Sequence, residues 1–232
     1  MEDGPPDGET VLSLEQFEAQ MRQLNAEGYR ALGMDEVMAF LQGRPLPEKV
    51  VAIHFDDGWK SSRHAIPVLE RYGLRASFWI IAGSGIGAPH MDWEEIGELA
   101  RRPGMEVYSH SMTHPWRDGE TLVDWLEGRA PGKGMEDVRR ELVDSRRILE
   151  QRLGQPVPYL AWPRGVYNDT LVRLASDAGY VGLLTIDDGL NRPGGDPLRI
   201  RRTMVDGRCG DKEFRQILAD GLFHPCPGQT SK

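Results

Sequence analysis

Apolar residues along this 232-residue chain follow two alternating rhythms. Short, nearly unbroken apolar runs at 50–54, 76–81, 105–108, 159–162, 181–185 and 198–204 read as strands covered on both faces. Between them, near 62–72, 92–101, 135–153, 168–179 and 211–219, apolar positions recur at helical spacing. Two helices precede the first strand. Ser13 and Gln16 form a capping-box signature ahead of Phe17, Met21 and Leu24, and Gly28 closes that helix. A second helix runs from about 34 to 41, followed by a Gly/Pro linker at 43–47. Strand–helix alternation predicts a mostly parallel sheet or barrel. Residues 117–134 are rich in Gly and charge and lack periodicity, so they read as a long rim loop.

Composition narrows the class. With 39% apolar residues the chain can bury one substantial core, which suits a single α/β domain. A net charge of −8 argues against a nucleic-acid surface, which needs clustered Lys and Arg. The two cysteines, Cys209 and Cys226, are too few for a disulfide framework or a cysteine metal site, and whether they pair is open. No apolar run approaches membrane-spanning length, and the first residues do not resemble a signal peptide.

Three strand ends carry candidate chemistry. Val50 to Ile53 leads through His54 and Phe55 into Asp56-Asp57-Gly58, two adjacent carboxylates on the rim of the sheet. Neighbouring side chains on an extended backbone point in opposite directions, so one carboxylate can bind a metal while the other acts as a base. After the run at 105–108 come His110 and His114, whose imidazoles can meet at one ion if the chain between them curls into a turn. The third strand end is Tyr159-Leu160-Ala161-Trp162-Pro163-Arg164-Gly165, an apolar run stopped by a Pro/Gly turn. Taken singly, each has an ordinary structural reading as turn chemistry or a loop exit. Together they point to a metal-assisted site.

The Phe-Asp-Asp-Gly block, the His-Ser-x-x-His block and the Pro-x-Gly turn, in this order, resemble the polysaccharide deacetylases (the NodB-homology group, carbohydrate esterase family 4). The likeness extends from about Ser13 to Leu222, giving a catalytic domain at 13–222 flanked by tails at 1–12 and 223–232. It implies an α/β fold, a deformed (β/α) barrel. The family barrel has another strand, often carrying a Tyr-His pair, ahead of the early helix. No such segment lies upstream of Thr10, so the expectation is a barrel missing its first strand, the chain beginning after it.

The resemblance also implies roles. Asp57, His110 and His114 would hold a divalent metal, Zn²⁺ first, with Co²⁺, Ni²⁺ or Fe²⁺ as alternatives. Asp56 would be the general base, and the backbone N–H of Arg164 would share the oxyanion's charge with the metal. An amine leaves poorly unless protonated, so a general acid should contribute roughly 10²–10⁴-fold. The family uses a histidine for this. His224, in Gly-Leu-Phe-His-Pro, is the candidate, with His90 as the alternative and the possibility that the acid is absent from this chain. His64 and His54 read as structural. Many relatives have an Arg two residues before the motif's Pro that orients the base. Here that position is Ala161, leaving Arg201 or Arg202, with Asp187 or Asp188, to substitute. Trp59, Trp116, Pro163 and Gly165 are candidate substrate contacts, the two indoles by stacking on sugar.

The expected function is metal-dependent removal of N-acetyl groups from an N-acetylhexosamine polysaccharide: poly-N-acetylglucosamine, chitin-like polymer or peptidoglycan. The alternatives are a small-substrate C–N amidohydrolase and a non-catalytic, metal-retaining carbohydrate-binding protein. The implied location is extracellular or the cell envelope; no nucleic acid and no transmembrane segment are expected, and the oligomeric state is open.

Overall fold

A computed structural model describes residues 11–83 and 86–226. Most of both tails, together with the segment upstream of Thr10, lies outside the described residues. The chain runs α1 (Leu14–Ala26), β1 (Arg30–Ala31), α2 (Met34–Leu41), β2 (Val50–Val51), β3 (His54–Phe55), α3 (Ile66–Arg71), β4 (Ala76–Ile80) and α4 (Trp93–Ala100). It continues through β5 (Met105–Ser109), α5 (Leu122–Leu126), α6 (Met135–Leu153), β6 (Tyr159–Ala161), α7 (Asp169–Asp177), β7 (Gly182–Leu184) and α8 (Asp211–Asp220).

The strands β3-β4-β5-β6-β7 pair in sequence order, every pair parallel, and a separate parallel pair joins β1 to β2. All five strands of the main sheet therefore point the same way, and all their C-terminal ends open on one rim. That is why motifs far apart in sequence can share a site. Inside that sheet, between β3 and β5, β4 is buried at every position. Such burial on both faces explains its unbroken apolar run.

Local rules account for the helices. Ser13 and Gln16 form the capping box at α1, whose buried face is Phe17, Gln20, Met21 and Leu24, one helical stripe. Asp92 and Glu95 cap α4 in the same way. The long α6 ends at Gly154 in a left-handed conformation, the usual glycine stop.

Three expectations need correction. The run at 50–54 is not one strand: Val50–Val51 pairs with β1, a strand the pattern did not reveal, while His54–Phe55 pairs with β4. The run at 198–204 lies parallel beside β7 but makes only one ladder bridge, Leu184 to Ile200. Its next residue, Arg201, hydrogen-bonds by both backbone groups to the Asn191 side chain, which takes the place of a neighbouring strand. The rim loop at 117–134 contains a helix, α5, started by a Thr121–Asp124 capping box and anchored by buried Leu122 and Trp125. Five residues are too few for apolar periodicity to register.

Candidate active site

The three motifs meet on the C-terminal rim. Asp56 and Asp57 follow β3, His110 and His114 follow β5, and the Pro163–Gly165 turn follows β6. Among the described residues, the non-glycine positions with positive φ are Asp57 (69°), Ser111 (65°), His114 (52°) and Arg164 (55°). All four belong to these motifs. Each costs on the order of 1–3 kcal/mol, so the fold holds strain where the candidate chemistry lies. The extended backbone assumed for the two aspartates stops at Asp57; a left-handed turn, rather than strand alternation, sends their carboxylates apart. Gly58 (φ 75°) completes the turn, and a Cβ there would come 2.9 Å from Ile80 Cδ1.

Asp57 Oδ1 lies 3.3 Å from His110 Nε2 and 3.5 Å from His114 Nε2. That oxygen is buried and has no hydrogen-bond partner, which is costly unless something else answers it. The His110 Nδ1 is 2.8 Å from the Ala161 carbonyl, an acceptor only, so Nδ1 carries a proton and Nε2 is the ring nitrogen left to face an ion. Burial, followed by the charge of His110, lowers the His114 pKa to about 4, keeping that imidazole neutral. Burial also pushes His110 down, but the adjacent Asp56 and Asp57 carboxylates outweigh it and raise its pKa. Ligands about 2.0–2.1 Å from a tetrahedral metal stand roughly 3.4 Å apart. The orphaned oxygen, the tautomer and the spacing all fit a divalent metal held by two imidazoles and one carboxylate. A second grouping, Asp206 with Cys209 and Cys226, does not fit one, because the cysteines form a disulfide.

Asp56 is held differently. Arg202 donates Nη1 to its Oδ1 at 2.7 Å and Nη2 to its Oδ2 at 3.0 Å, a two-pronged clamp. Burial would raise the Asp56 pKa, but Arg202 and then His110 overcome it and hold the carboxyl well below the usual range. Arg202 is itself fixed by an Nε bond to the Thr185 carbonyl at 3.0 Å. Of the two arginines open from the sequence, Arg201 instead donates to the backbone of Asp188. Asp187 accepts from the Tyr167 hydroxyl and Asp188 from the Phe223 N–H, so neither carboxylate pairs with Arg202.

The remaining candidates separate. Trp59 donates Nε1 to Asp57 Oδ2 at 3.1 Å and stacks on His90 with ring centroids 4.1 Å apart. Trp116 is 55% exposed. Pro163 is buried, and Gly165 (φ 66°) lies so close to Ile186 that a Cβ would approach it to 2.2 Å. The Arg164 side chain spans to the Trp116 carbonyl (2.9 Å) and Asp118 (2.6 Å), tying two motifs together from the outside. His224 pairs with Asp220 at 2.9 Å, and no bond or ion pair joins it to the aspartate–histidine cluster. His54 accepts from Trp79 Nε1 at 3.2 Å, in line with its structural reading, and burial lowers its pKa to about 3.

One participant escaped the sequence reading. Buried Glu141, on α6, accepts from the N–H groups of Met112 (2.9 Å) and Thr113 (2.8 Å) and from the Thr113 hydroxyl (2.5 Å). It thereby fixes the strained turn between the two histidines. Its only sequence signal was a charge on the buried stripe of α6, beside Val138, Leu142 and Ser145. Glu141→Ala leaves two turn N–H groups without their acceptor and should weaken metal binding roughly 10–100-fold. Glu141→Gln, whose amide oxygen can still accept both, should recover much of it. Competition with a chromogenic chelator measures this, and unchanged affinity in the alanine variant would remove Glu141 from the role.

The polysaccharide deacetylase family model matches residues 43–183. The putative polysaccharide deacetylase YxkH of Bacillus subtilis is 30% identical over 75% of this chain and 58% of its own length. The poly-beta-1,6-N-acetyl-D-glucosamine N-deacetylase of Escherichia coli is 24% identical over 86% of this chain and 34% of its own. The chain thus spans a little over half of the first relative and about a third of the second. The structure of IcaB from Ammonifex degensii superposes with a TM-score of 0.79 at 28% identity, covering 93% of this chain and 91% of that one. The curled parallel sheet with its surrounding helices is the deformed barrel of these deacetylases.

Proposed function

This chain belongs to the polysaccharide deacetylase family, and we propose that it hydrolyses N-acetyl groups from an N-acetylhexosamine polymer: poly-N-acetylglucosamine, a chitin-like polymer or peptidoglycan. The observation that carries the reading is the orphaned Asp57 oxygen facing two imidazole nitrogens, beside a second aspartate clamped by Arg202. The names of the relatives support the polymer.

Asp57, His110 and His114 would hold the metal, taken as Zn²⁺ from the two-imidazole, one-carboxylate donor set. Bound there, a divalent cation polarises the acetyl carbonyl and makes the attacking water more acidic. Asp56 takes the proton of that water. Arg202 keeps its carboxylate ionised and aimed, so the base is ready over the whole neutral range. The Arg164 N–H, in the strained turn after β6, donates to the oxyanion. Proton delivery to the departing amine falls to a histidine. Of the two candidates His90 is better supported, since its ring packs on Trp59, whose indole bonds Asp57; His224 is engaged with Asp220. Trp59 and Trp116 would contact sugar, and Pro163 and Gly165 would shape the wall beside the acetyl group.

The Cys209–Cys226 disulfide favours an oxidising compartment, consistent with work outside the cell or in its envelope. Among the described residues no helix is long and apolar enough to cross a membrane.

The decisive experiment is acetate release from N-acetylglucosamine oligomers by protein stripped of metal and then reloaded with zinc, cobalt or nickel. Stripping should abolish release and at least one metal should restore it. Stoichiometric metal binding without acetate release from any N-acetylated polymer would instead support the carbohydrate-binding alternative.

A further inference from the structure

A cavity of about 460 Å³ opens beside the candidate site, starting at His114 and running beneath the 115–133 loop. Its size falls within the roughly 300–1,000 Å³ of small-ligand sites. Two indoles line it, Trp116 at 55% exposed and Trp125 at 5%. Two cations and one carboxylate line it: Arg117, Lys133 and Glu120. Arg117 is 3.9 Å from Glu120 and lies over the Trp116 ring, 5.6 Å from its centroid. Lys133 is different. Its Nζ sits 4.3 Å from the Trp125 ring centroid and pairs with no carboxylate among the described residues. A bond from its backbone N–H to the Ala130 carbonyl fixes the turn that carries it. In a chain of net charge −8, this is a locally positive cavity touching a candidate metal ligand.

Resting on the deacetylase reading above, we propose that this cavity is a subsite for the sugar next to the one being deacetylated, and that Lys133 makes it prefer an acidic sugar, carrying a carboxylate or phosphate, over a neutral one and reject a free amine. The exposed face of Trp116 supplies the stacking surface for the pyranose ring. Lys133 has an ammonium group without an anionic partner, so an acidic substituent gains a charge-assisted bond there. A glucosamine already freed of its acetyl group is an ammonium itself, and like charges at this separation repel. A polymer already deacetylated at the neighbouring unit would therefore be a poorer substrate, spacing the reaction along the chain.

Calorimetric titration of the intact protein with N-acetylglucosamine, N-acetylglucosamine 6-phosphate, N-acetylmuramic acid and glucosamine tests this without relying on turnover. At least one of the two acidic sugars should bind about tenfold more tightly than N-acetylglucosamine, and glucosamine most weakly, the scale of one charge-assisted bond. The tighter of the two acids identifies carboxylate or phosphate as the fitting group. Lys133→Gln, at an exposed position, should erase the preference, and Trp116→Ala should weaken all four sugars together. Equal affinities in the native protein, or no binding of any sugar, would overturn the proposal. So would an acid preference surviving in Lys133→Gln, since the anion would then sit elsewhere, the metal site included. The Asp56→Asn variant should keep the order. If that order holds while no polymer releases acetate, the deacetylase reading fails and the subsite stands.

Discussion

His114→Ala should lose metal and turnover together, the largest effect expected of any single change in this protein. His114 supplies one of three donor atoms that lie within 4.8 Å of one another. Two remaining ligands, His110 and Asp57, make a site too open to retain a divalent ion against a chelator. Without the cation, neither the carbonyl nor the water is activated, and what Asp56 and Arg164 supply acts on an unpolarised amide. Acetate release should fall to background, and metal content after dialysis should drop from about one per chain to near zero. A variant that kept stoichiometric metal would show that the histidine is not a ligand. Stability should change less than activity, because without metal the wild-type cluster already carries the unanswered Asp57 oxygen.

Asp56→Asn should separate the two properties, keeping metal while losing most turnover. Asp56 Oδ2 is 3.9 Å from His110 Nε2, farther than either contact of Asp57, and both its oxygens are engaged by Arg202. The amide oxygen of asparagine can keep one Arg202 bond, so the local shape should survive. What disappears is the capacity to take a proton, and losing a general base typically costs about 10²–10⁴-fold in rate. Arg202, only 10% exposed, is left with a neutral partner, and a loss of about 1–3 kcal/mol in stability is the expected side effect. Parallel measurement of metal content, thermal midpoint and acetate release distinguishes this from misfolding. Full activity with metal bound would transfer the base role to another residue. Arg202→Gln offers an independent check: if the clamp holds the base ionised, its loss should move the acid limb of the rate profile upward in pH.

The gap between what was legible and what was not follows the range of the forces involved. Helix α6 was read at 135–153, the span it occupies, because nineteen residues with one buried stripe and a terminal glycine carry their own signal. The Asp56-Asp57, His110-His114 and Pro163–Gly165 motifs were legible because each is a strand end closed by turn chemistry within a few residues. His54, expected to be a hydrogen-bonded residue on the strand ahead of the rim, accepts from the Trp79 indole. By contrast β1, two residues long, has no periodicity to detect, and only pairing revealed that Val50–Val51 joins it while His54–Phe55 joins β4. The disulfide between Cys209 and Cys226 was equally undecidable, since pairing depends on how the tail returns to the loop before α8.

The orienting arginine shows the division most clearly. Ala161 stands where the family resemblance led one to expect it, and the sequence left Arg201 and Arg202 equally eligible. Neighbours in sequence, they diverge in space: Arg202 turns inward to Asp56, 146 positions away, while Arg201 meets the backbone of Asp188. Glu141 likewise reaches back 28 positions to hold the histidine turn. The sequence alone determined the family, the order of the longer helices and strands, and the donor types available to a metal, because those depend on local pattern and residue chemistry. Which distant side chain completes each donor, and which cavity adjoins them, was decided by the parallel stacking of strands that brings their C-terminal ends to one rim. Contacts across that rim join residues far apart in the chain, and no short-range pattern encodes them.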